Sequence, residues 1–315
     1  VEAEAFLDGV PKGSSELTLR VGDDGGFFAS GGRLAKERKI DLDALVLATH
    51  GGPGEDGTLQ GVLDLAGINY SGPSLAAAAI GMDKWTFASL VAQAGLPTLP
   101  RVLFGPDTSS LPFDSPYILK PRFGGSSIGI DVVADLQTAR ARLSTNPHLA
   151  NGCVVEPYRE DLTDVQIGLR TYPALSLSAI ERPLRRTTKE ILNYRDKYVA
   201  GEGMVAAPRE LPAPLPPGQE EEIIRLTKAI AEICLVRGVA RLDFLANDTE
   251  LYVNEINTIP GSLAKYLFVD PPLPFGELLR DLLAEARERP THRYSTAGAD
   301  GLVLRSATPI AAKLA

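Results

Sequence analysis

The sequence has few residues of the types that carry covalent or redox chemistry. Its 315 residues include two cysteines, Cys153 and Cys234, each inside an apolar stretch. Two such cysteines make neither a disulfide framework nor a CxxC metal site. The three histidines, His50, His148 and His292, are too widely scattered for a zinc site. No GxSxG nucleophile elbow is present, so covalent catalysis by a protein nucleophile has no support.

The sequence also lacks a basic surface and a long apolar run. A net charge of −8 and a pI near 5.1 leave too little positive charge to neutralise a nucleic-acid backbone. No apolar run approaches the roughly 20 residues that cross a bilayer. The opening VEAEAFLDGV has no signal-peptide pattern. We therefore expect neither nucleic acid nor a membrane as a partner, and we expect a cytoplasmic location.

What is present is an alternation of short apolar runs with longer helical patterns, which is typical of α/β or α+β layers. A chain of 315 residues is expected to divide into two or three cores that share clefts. Predicted helices cover residues 55 to 67, 82 to 95 and 220 to 238. Predicted strands cover residues 43 to 50, 115 to 121, 130 to 133, 152 to 158, 166 to 172 and 174 to 180, and a hairpin covers 239 to 257, turning at Asn247-Asp248.

A glycine-rich loop beside a lysine is the first candidate site. The segment YILKPRFGGSSIG places Lys120 at a strand end, followed by Gly125, Ser126 and Ser127 in the loop. Backbone N–H groups of such a loop can turn toward an anion. The segment matches neither the P-loop nor the GxGxxG pattern. Phosphate is the expected ligand, and an ordinary flexible hairpin loop is the alternative interpretation.

The predicted hairpin at residues 239 to 257 is the second candidate site. Asp243, Glu255 and Asn257 offer the hard oxygen ligands that Mg²⁺ prefers. The alternative is a solvated acidic face. Asp243 lies between Leu242 and Phe244, however, and a carboxylate in such apolar surroundings needs a partner.

Six segments, in this order, resemble the D-alanine–D-alanine ligase family of the ATP-grasp superfamily. They are HGGPGEDGTLQGVLDLAGINYSG (50 to 72), MDKWTFASLVAQAGLPT (82 to 98), ILKPRFGGSSIGI (118 to 130), VVEPY (154 to 158), NYRDKY (193 to 198) and RLDFLANDTELYVNEINTIPG (241 to 261). The resemblance implies an ATP-grasp fold, with ATP held between two antiparallel sheets, plus an N-terminal α/β domain. The expected division is an N-terminal substrate domain (1–74), a central ATP-grasp subdomain (75–155), a C-terminal ATP-grasp and metal-binding subdomain (156–290) and a tail of unknown role (291–315).

The resemblance further implies a site for ATP and two Mg²⁺ ions, with Mn²⁺ as the alternative metal. Residues matching those that contact the ATP phosphates are Lys84, Lys120, Lys197, Gly125, Ser126 and Ser127. Residues matching the adenine-reading strand are Glu156, Pro157 and Tyr158, and Asp164 is the candidate for the ribose contact. Asp243, Glu255 and Asn257 match the metal ligands.

The implied reaction joins a carboxylate to an amine through an acyl phosphate, as in dipeptide formation for peptidoglycan biosynthesis by a homodimer. Arg241 and the backbone of Gly261 match the groups that stabilise the oxyanion. Lys197 and Tyr198 belong to a loop, near 190 to 205, that is expected to close over the site. The candidate residues for small amino-acid substrates are His50, Tyr198, Lys265 and Tyr266, and a solvent-facing role is the alternative for Lys265.

Two departures from the family keep the substrate open. Family members begin with a strand and a glutamate that holds the first substrate's ammonium group, and this segment is not found here. Either the sequence is truncated or the first substrate is held differently. Tyr266 stands near the place of a serine that binds the carboxylate of the second amino acid. The alternatives to dipeptide formation are a natural-product ligase with another amine as acceptor and a non-catalytic ATP-binding homologue. Retention of the lysines and metal ligands argues against the last.

Overall fold

The structure is a computed structural model and describes residues 9–11, 13–30, 36–184, 208–289 and 291. Its strands are β1 Leu17–Arg20, β2 Gly26–Ala29, β3 Arg38–Lys39, β4 Val102–Phe104, β5 Tyr117–Pro121, β6 Asp131–Val133, β7 Cys153–Pro157, β8 Thr163–Arg170, β9 Ser176–Pro183, β10 Arg209–Glu210, β11 Val239–Ala246 and β12 Leu251–Asn257. Its α-helices are α1 Thr58–Leu65, α2 Leu75–Met82, α3 Lys84–Gln93, α4 Leu136–Thr145, α5 Gln219–Ile233 and α6 Phe275–Glu288, and shorter 3-10 segments cover Pro147–Leu149 and Gly261–Leu267.

The described strands form three sheets, and neighbouring strands within each sheet are antiparallel. A four-stranded sheet has the order β4-β7-β5-β6, and a five-stranded sheet has the order β10-β9-β8-β11-β12. A small sheet at the N-terminal end has the order β1-β2-β3. The two larger sheets confirm the prediction of paired antiparallel layers. Among the described residues, no helix has the length and apolarity needed to span a membrane.

The β11–β12 hairpin forms where the sequence predicts it. The side chain of Asn247 accepts hydrogen bonds from the N–H groups of Thr249 (3.0 Å) and Glu250 (2.8 Å), which is how asparagine stabilises a turn. The register pairs Asp243 with Glu255, and a bulge follows between Asp243 and Phe244. The hairpin therefore places two acidic residues directly opposite each other on neighbouring strands.

The largest core lies between helices α3 and α5 and the five-stranded sheet. Ile223, Leu226 and Ile230 recur at helical spacing along α5 and are fully buried against Leu242 of β11. Burying a side chain of this size contributes roughly 1.5–3 kcal/mol relative to exposure. Gly218, at φ 83°, adopts the left-handed conformation that begins α5.

Two further cores complete the three that the chain length allows. One joins α1, α6 and the 3-10 segment through Leu63, Leu278 and Leu263. The other joins the four-stranded sheet to α4 through Leu119 and Ala139. The glycine-rich loop and the metal-ligand candidates thus stand on different cores, whose sheets face each other.

The predicted strand at residues 43 to 50 is wrong over most of its length. One parallel bridge joins Leu45 to Tyr70, and the N–H of Ser71 donates to the carbonyl of Leu45 at 2.8 Å. The next N–H on the same side, that of Leu47, donates to the Ser71 hydroxyl instead, at 3.0 Å. A side chain therefore replaces the backbone partner that would have continued the ladder.

The described part of the N-terminal region contains a small antiparallel sheet as well as helix α1. A tight turn, in which the N–H of Gly25 donates to the carbonyl of Gly22 at 2.8 Å, joins β1 to β2 and makes them antiparallel. Leu19 and Phe27 pack against the core of α1 and α6. The division of the chain at residues 74, 155 and 290 stays a prediction.

A close contact joins the N-terminal region to the five-stranded sheet. Arg237 donates from Nη1 to the carbonyls of Tyr70 and Gly72, both at 2.8 Å. Gly238 has φ 77°, and a Cβ atom there would lie 2.7 Å from the Cα atom of Gly72. Glycine at position 238 therefore permits both the left-handed backbone and the close approach.

Candidate active site

A cleft of about 960 Å³, including space open to solvent, lies between the two larger sheets. The predicted residues that line it are Lys84, Lys120, Gly125, Ser126, Ser127, Glu156, Pro157, Tyr158, Asp164, Asp243 and Glu255. Side chains that are far apart in the sequence therefore converge on one cavity.

The glycine-rich loop has positive φ angles at four positions. Ser126 and Ser127 have φ angles of 55° and 57°, and Gly124 and Gly129 have φ angles of 140° and 77°. Left-handed residues in a tight turn direct neighbouring N–H groups toward one point. At Gly129 a Cβ atom would also lie 2.3 Å from that of His148, so both space and backbone angle favour glycine there.

The two predicted lysines flank this loop. Lys84 donates from Nζ to the carbonyl of Gly124, and its Nζ lies 4.0 Å from Glu255 Oε2. Burial lowers the pKa of Lys84, and the negative charge of Glu255 partly opposes this effect. Lys120 donates to Glu156 Oε2 at 2.9 Å. Both ammonium groups therefore lie at the cleft, held by carboxylates on either wall.

Asp83 and Arg122 fix the start of α3 against the loop. Asp83 caps α3 by accepting from the N–H of Trp85 at 3.1 Å, and it receives two hydrogen bonds from Arg122, at 2.8 and 2.5 Å. Burial would raise the pKa of Asp83, but the hydrogen bonds from Arg122 and Thr86 outweigh burial and lower the pKa to about 2. Lys84 is the first residue of the helix that this pair anchors.

Glu156 is enclosed by cations. Its side chain is 1% exposed, and Arg101 Nε donates to its Oε1 at 2.6 Å. Burial would raise the pKa of Glu156, but the charges of Arg101 and Lys120 outweigh burial and lower it. The sequence analysis missed Arg101, although an arginine within the apolar run LPRVLF was a usable signal. The adjoining N–H of Tyr158 donates to the carbonyl of Pro116 at 2.8 Å.

The metal-ligand candidates lie on β11 and β12. Asp243 accepts from Arg241 Nε at 2.6 Å and Nη2 at 2.7 Å, and from Asn257 Nδ2 at 3.2 Å. Burial would lower the pKa of Arg241, but the carboxylate of Asp243 raises it well above its usual value. Arg241, the predicted oxyanion-stabilising residue, is therefore adjacent to the candidate metal ligands.

The donor set fits magnesium that is shared with a phosphate ligand. In the described part of the chain, no three His, Cys, Asp or Glu side chains converge as an all-protein metal cage. Two opposed carboxylates, Asp243 and Glu255, with the amide of Asn257 make a set of hard oxygen donors instead. Mg²⁺ is usually held by one or two carboxylates together with substrate phosphates. The glycine-rich loop lines the same cleft as these side chains.

Gly261 begins a turn of unusual conformation. Ser262, Leu263 and Ala264 have φ angles of 51°, 51° and 49°, so three consecutive residues that are not glycine are left-handed. Such residues cost about 1–2 kcal/mol each, and they cluster at functional sites. Lys265, at the end of this turn, is half-buried.

Tyr266 lies in a buried charged cluster that the sequence analysis did not foresee. The guanidinium of Arg209 lies 4.9 Å from the centre of the Tyr266 ring and pairs with Glu181 at 3.0 Å. Burial raises the pKa of Tyr266 to about 12, against the charge of Arg241, and burial also raises the pKa of Glu181. Glu181 and Arg209 come from β9 and β10, and neither belongs to a motif quoted above.

Of the predicted substrate and catalytic residues that the structure describes, none is among the residues that line the cleft: these are His50, Arg241, Gly261, Lys265 and Tyr266. His50 is exposed on the N-terminal loop, where its Nδ1 lies 3.7 Å from Glu55 Oε1. Lys197 and Tyr198, with the expected closing loop near 190 to 205, lie outside the described residues.

Comparison of the sequence with family models identifies two matching regions. Residues 16–73 match the model described as D-ala D-ala ligase N-terminus, and residues 90–271 match the model described as D-ala D-ala ligase C-terminus. A D-alanine–D-alanine ligase of Campylobacter lari is 32% identical over 274 residues, covering 86% of this chain and 75% of that protein. One from Wolinella succinogenes is 29% identical over 296 residues, covering 93% and 83%.

Solved structures give the same result at the level of fold. The D-alanine–D-alanine ligase of Coxiella burnetii has a TM-score of 0.73 at 20% identity, covering 93% of this chain and 79% of that one. The corresponding structure from Helicobacter pylori has a TM-score of 0.66 at 24% identity, covering 88% and 78%. These similarities confirm the ATP-grasp fold expected from the sequence. From its matches to both family models and to these relatives, the chain belongs to the D-alanine–D-alanine ligase family.

Proposed function

We propose that the protein is an ATP-dependent carboxylate–amine ligase that forms a dipeptide from D-alanine. The observation that carries the proposal is the cleft between the antiparallel sheets. It combines two lysines and a glycine-rich loop on one side with two opposed carboxylates on the other. Phosphoryl transfer needs positive charge and oriented donors around the phosphates, and this arrangement supplies both.

In this proposal the phosphates of ATP lie between the glycine-rich loop and the carboxylates. Lys84 and Lys120 neutralise phosphate charge, and the N–H groups around Ser126 and Ser127 donate to phosphate oxygens. The adenosine lies along the end of β7, near Glu156, Pro157 and Tyr158, with Asp164 at the ribose. Their place on the cleft lining supports this orientation.

Asp243, Glu255 and Asn257 would hold Mg²⁺, in two ions as the resemblance implies, with Mn²⁺ as the alternative metal. When bound, the metal supplies charge that neutralises the phosphates. The protein's own contribution is the fixed placement of the ligands. The register of β11 and β12 holds Asp243 opposite Glu255, and Asn257 opposite Arg241.

In the proposed reaction, the first substrate's carboxylate attacks the γ-phosphate of ATP and ADP leaves. The second substrate's amine then attacks the carbonyl carbon of the acyl phosphate, phosphate leaves as the C–O bond to it breaks, and the amine loses a proton. Negative charge develops on the carbonyl oxygen of the tetrahedral intermediate. The guanidinium of Arg241 and the N–H of Gly261 are the proposed donors to that oxygen. Lys197 and Tyr198 are proposed to join this site, the lysine at phosphate and the tyrosine at substrate. The family resemblance also supports a homodimer that acts in the cytoplasm on peptidoglycan precursors.

A second candidate acceptor follows from the cluster around Tyr266. Its ring lies beneath the Arg209 cation, and its pKa responds to both Arg241 and Glu181. The family resemblance assigns the place of Tyr266 to the second substrate, and aromatic, charged surroundings at that place support an amine other than D-alanine as the acceptor. His50 and Lys265 stay candidate substrate residues in either case.

Release of ADP and phosphate with Mg-ATP, across D- and L-amino acids singly and in pairs, tests the proposal, with products identified by mass spectrometry. D-alanyl-D-alanine as product is the expected result. Release with another amine only would favour the second candidate, and ATP binding without any release would refute the ligase proposal. Glu255→Ala should fold normally and lose turnover, whereas Glu220→Gln, at an exposed acid of α5, should keep it.

A further inference from the structure

Arg101 has a buried guanidinium that contacts three of the residues lining the cleft. Its side chain is 2% exposed. Nε donates to Glu156 Oε1 at 2.6 Å, Nη1 donates to the carbonyl of Lys84 at 2.6 Å, and Nη2 donates to the carbonyl of Asn254 at 3.2 Å. The planar fork of an arginine satisfies three acceptors in different directions, which a lysine ammonium on a flexible stem does less well.

The three acceptors belong to three different elements around the nucleotide site. Glu156 lies on β7 of the four-stranded sheet, Asn254 lies on β12 of the five-stranded sheet, and Lys84 is the first residue of α3. All three residues line the cleft. Arg101 therefore connects both walls of the cleft to the helix that carries one of its lysines.

Arg101 also decides how much positive charge remains for a ligand. Glu156 has Arg101 on Oε1 and Lys120 on Oε2, the latter at 2.9 Å, and Lys120 also contacts Asn254 Oδ1 at 3.3 Å. Two cations share one carboxylate, so this group keeps a net positive charge. Without Arg101, the ammonium of Lys120 would be the remaining cation on a buried carboxylate, and that local charge would fall to zero.

We propose that Arg101 is a positioning residue for ATP: it neutralises Glu156, leaving the charge of Lys120 available to the phosphates, and it ties together the two walls of the cleft. This inference rests on the proposed function, because it takes a nucleoside triphosphate as the ligand of the cleft. Arg101 itself acts through Glu156, Lys84 and Asn254 and needs no contact with the nucleotide.

Direct binding of Mg-ATP, measured by calorimetry, tests the inference in three variants. Arg101→Met should raise the Kd for ATP by about tenfold to hundredfold, the range expected for one charge-assisted interaction. Arg101→Lys should bind within a few-fold of the wild type because it keeps the charge. Arg101→Met combined with Glu156→Gln should bind ATP more tightly than Arg101→Met, because a neutral glutamine no longer competes for Lys120, and less tightly than the wild type, because Glu156 is also a proposed adenosine contact.

A merely structural role predicts the opposite for the double variant, since removing both partners of the network would weaken binding further. Arg101→Lys keeps a cation beside Glu156, so it serves as the test if Arg101→Met does not fold, whereas the double variant leaves Lys120 without its carboxylate partner. The matched control is Arg170→Met, which removes an arginine paired with Asp281 away from the cleft and should leave the Kd unchanged. Thermal melting verifies folding of each variant.

The outcomes separate this inference from the proposed function. A wild-type protein that binds no Mg-ATP would refute the proposed function and the inference with it. Wild-type binding with an unchanged Kd in Arg101→Met would refute the inference alone, as would a folded double variant no better than Arg101→Met. In steady-state assays, Arg101→Met should raise KM for ATP more than it lowers kcat.

Discussion

Replacing Asp243 by asparagine should destabilise the protein far more than the same change at an exposed ion pair of equal geometry. Arg241 and Asp243 form two hydrogen bonds of 2.6 and 2.7 Å, with side chains 9% and 4% exposed. Arg225 and Glu222 form two of 2.7 and 2.6 Å, with side chains 57% and 39% exposed. The Arg225–Glu222 pair is therefore a control for the Arg241–Asp243 pair, because the hydrogen-bond lengths are alike and the burial of the side chains differs.

The expected loss of stability follows from the charge of Arg241 that remains buried in the variant. Asp243→Asn leaves the guanidinium of Arg241 buried without its carboxylate, and breaking a buried pair in this way costs about 3–5 kcal/mol. The carboxylates of Glu255 and Glu181 interact with the same guanidinium, so we expect the lower end of this range. At the exposed pair, water replaces the lost partner, and Glu222→Gln should leave the melting temperature unchanged.

Thermal and urea unfolding, followed by circular dichroism in the presence of a chelator, measures this difference in the absence of bound metal. The chelator matters because a ligand that binds only the folded state adds its own stabilisation. Equal loss of stability in Asp243→Asn and Glu222→Gln, or no loss in either, would contradict the argument from burial. Turnover should be lost in Asp243→Asn alone, because Asp243 is also a proposed metal ligand.

Three other predictions concern the cysteines, acid stability and one glycine. Burial raises the pKa of both Cys153 and Cys234 to about 12, so at pH 8 only about one thiol in 10⁴ is ionised, and native thiol labelling should be far slower than labelling in urea. The pKa of Asp83 falls from 3.8 to about 2 on folding, so its carboxylate should stabilise the folded protein above pH 4 and lose this effect as the pH falls toward 2. Asp83→Asn should remove this pH dependence of the unfolding free energy in acid titrations. Gly238→Ala should lower the melting temperature more than Gly95→Ala, since both sites have left-handed backbone but only Gly238 lacks room for a Cβ atom.

Features that local chemistry determines could be predicted from the sequence. The turn at Asn247-Asp248, the glycine-rich loop after Lys120 and the spacing of Ile223, Leu226 and Ile230 each specify their element within a few residues. The ordered motifs then identified the fold. The predicted strand at 43 to 50 failed for the opposite reason, because pairing in a parallel layer depends on neighbours distant in sequence.

The residues that the sequence analysis missed have their partners far along the chain. Arg101 bonds to Glu156 and Asn254, and Arg209 pairs with Glu181 and covers Tyr266. Such contacts cannot be predicted from local sequence, because the residues around an arginine are the same whether its guanidinium reaches solvent or a buried carboxylate. Only the folded arrangement distinguishes the two.

The left-handed residues of the site show why its backbone could not be predicted either. Nothing in the letters SLA requires Ser262, Leu263 and Ala264 to be left-handed, and each such residue is disfavoured on its own. Leu263 and Ala264 are buried in the core that α1 and α6 form, so the core holds this turn in place. Gly261 immediately precedes the turn, and its N–H is a proposed oxyanion donor. Packing of Leu263 and Ala264 thus fixes the conformation of a segment that begins at the proposed oxyanion donor, and the sequence pattern records only that packing.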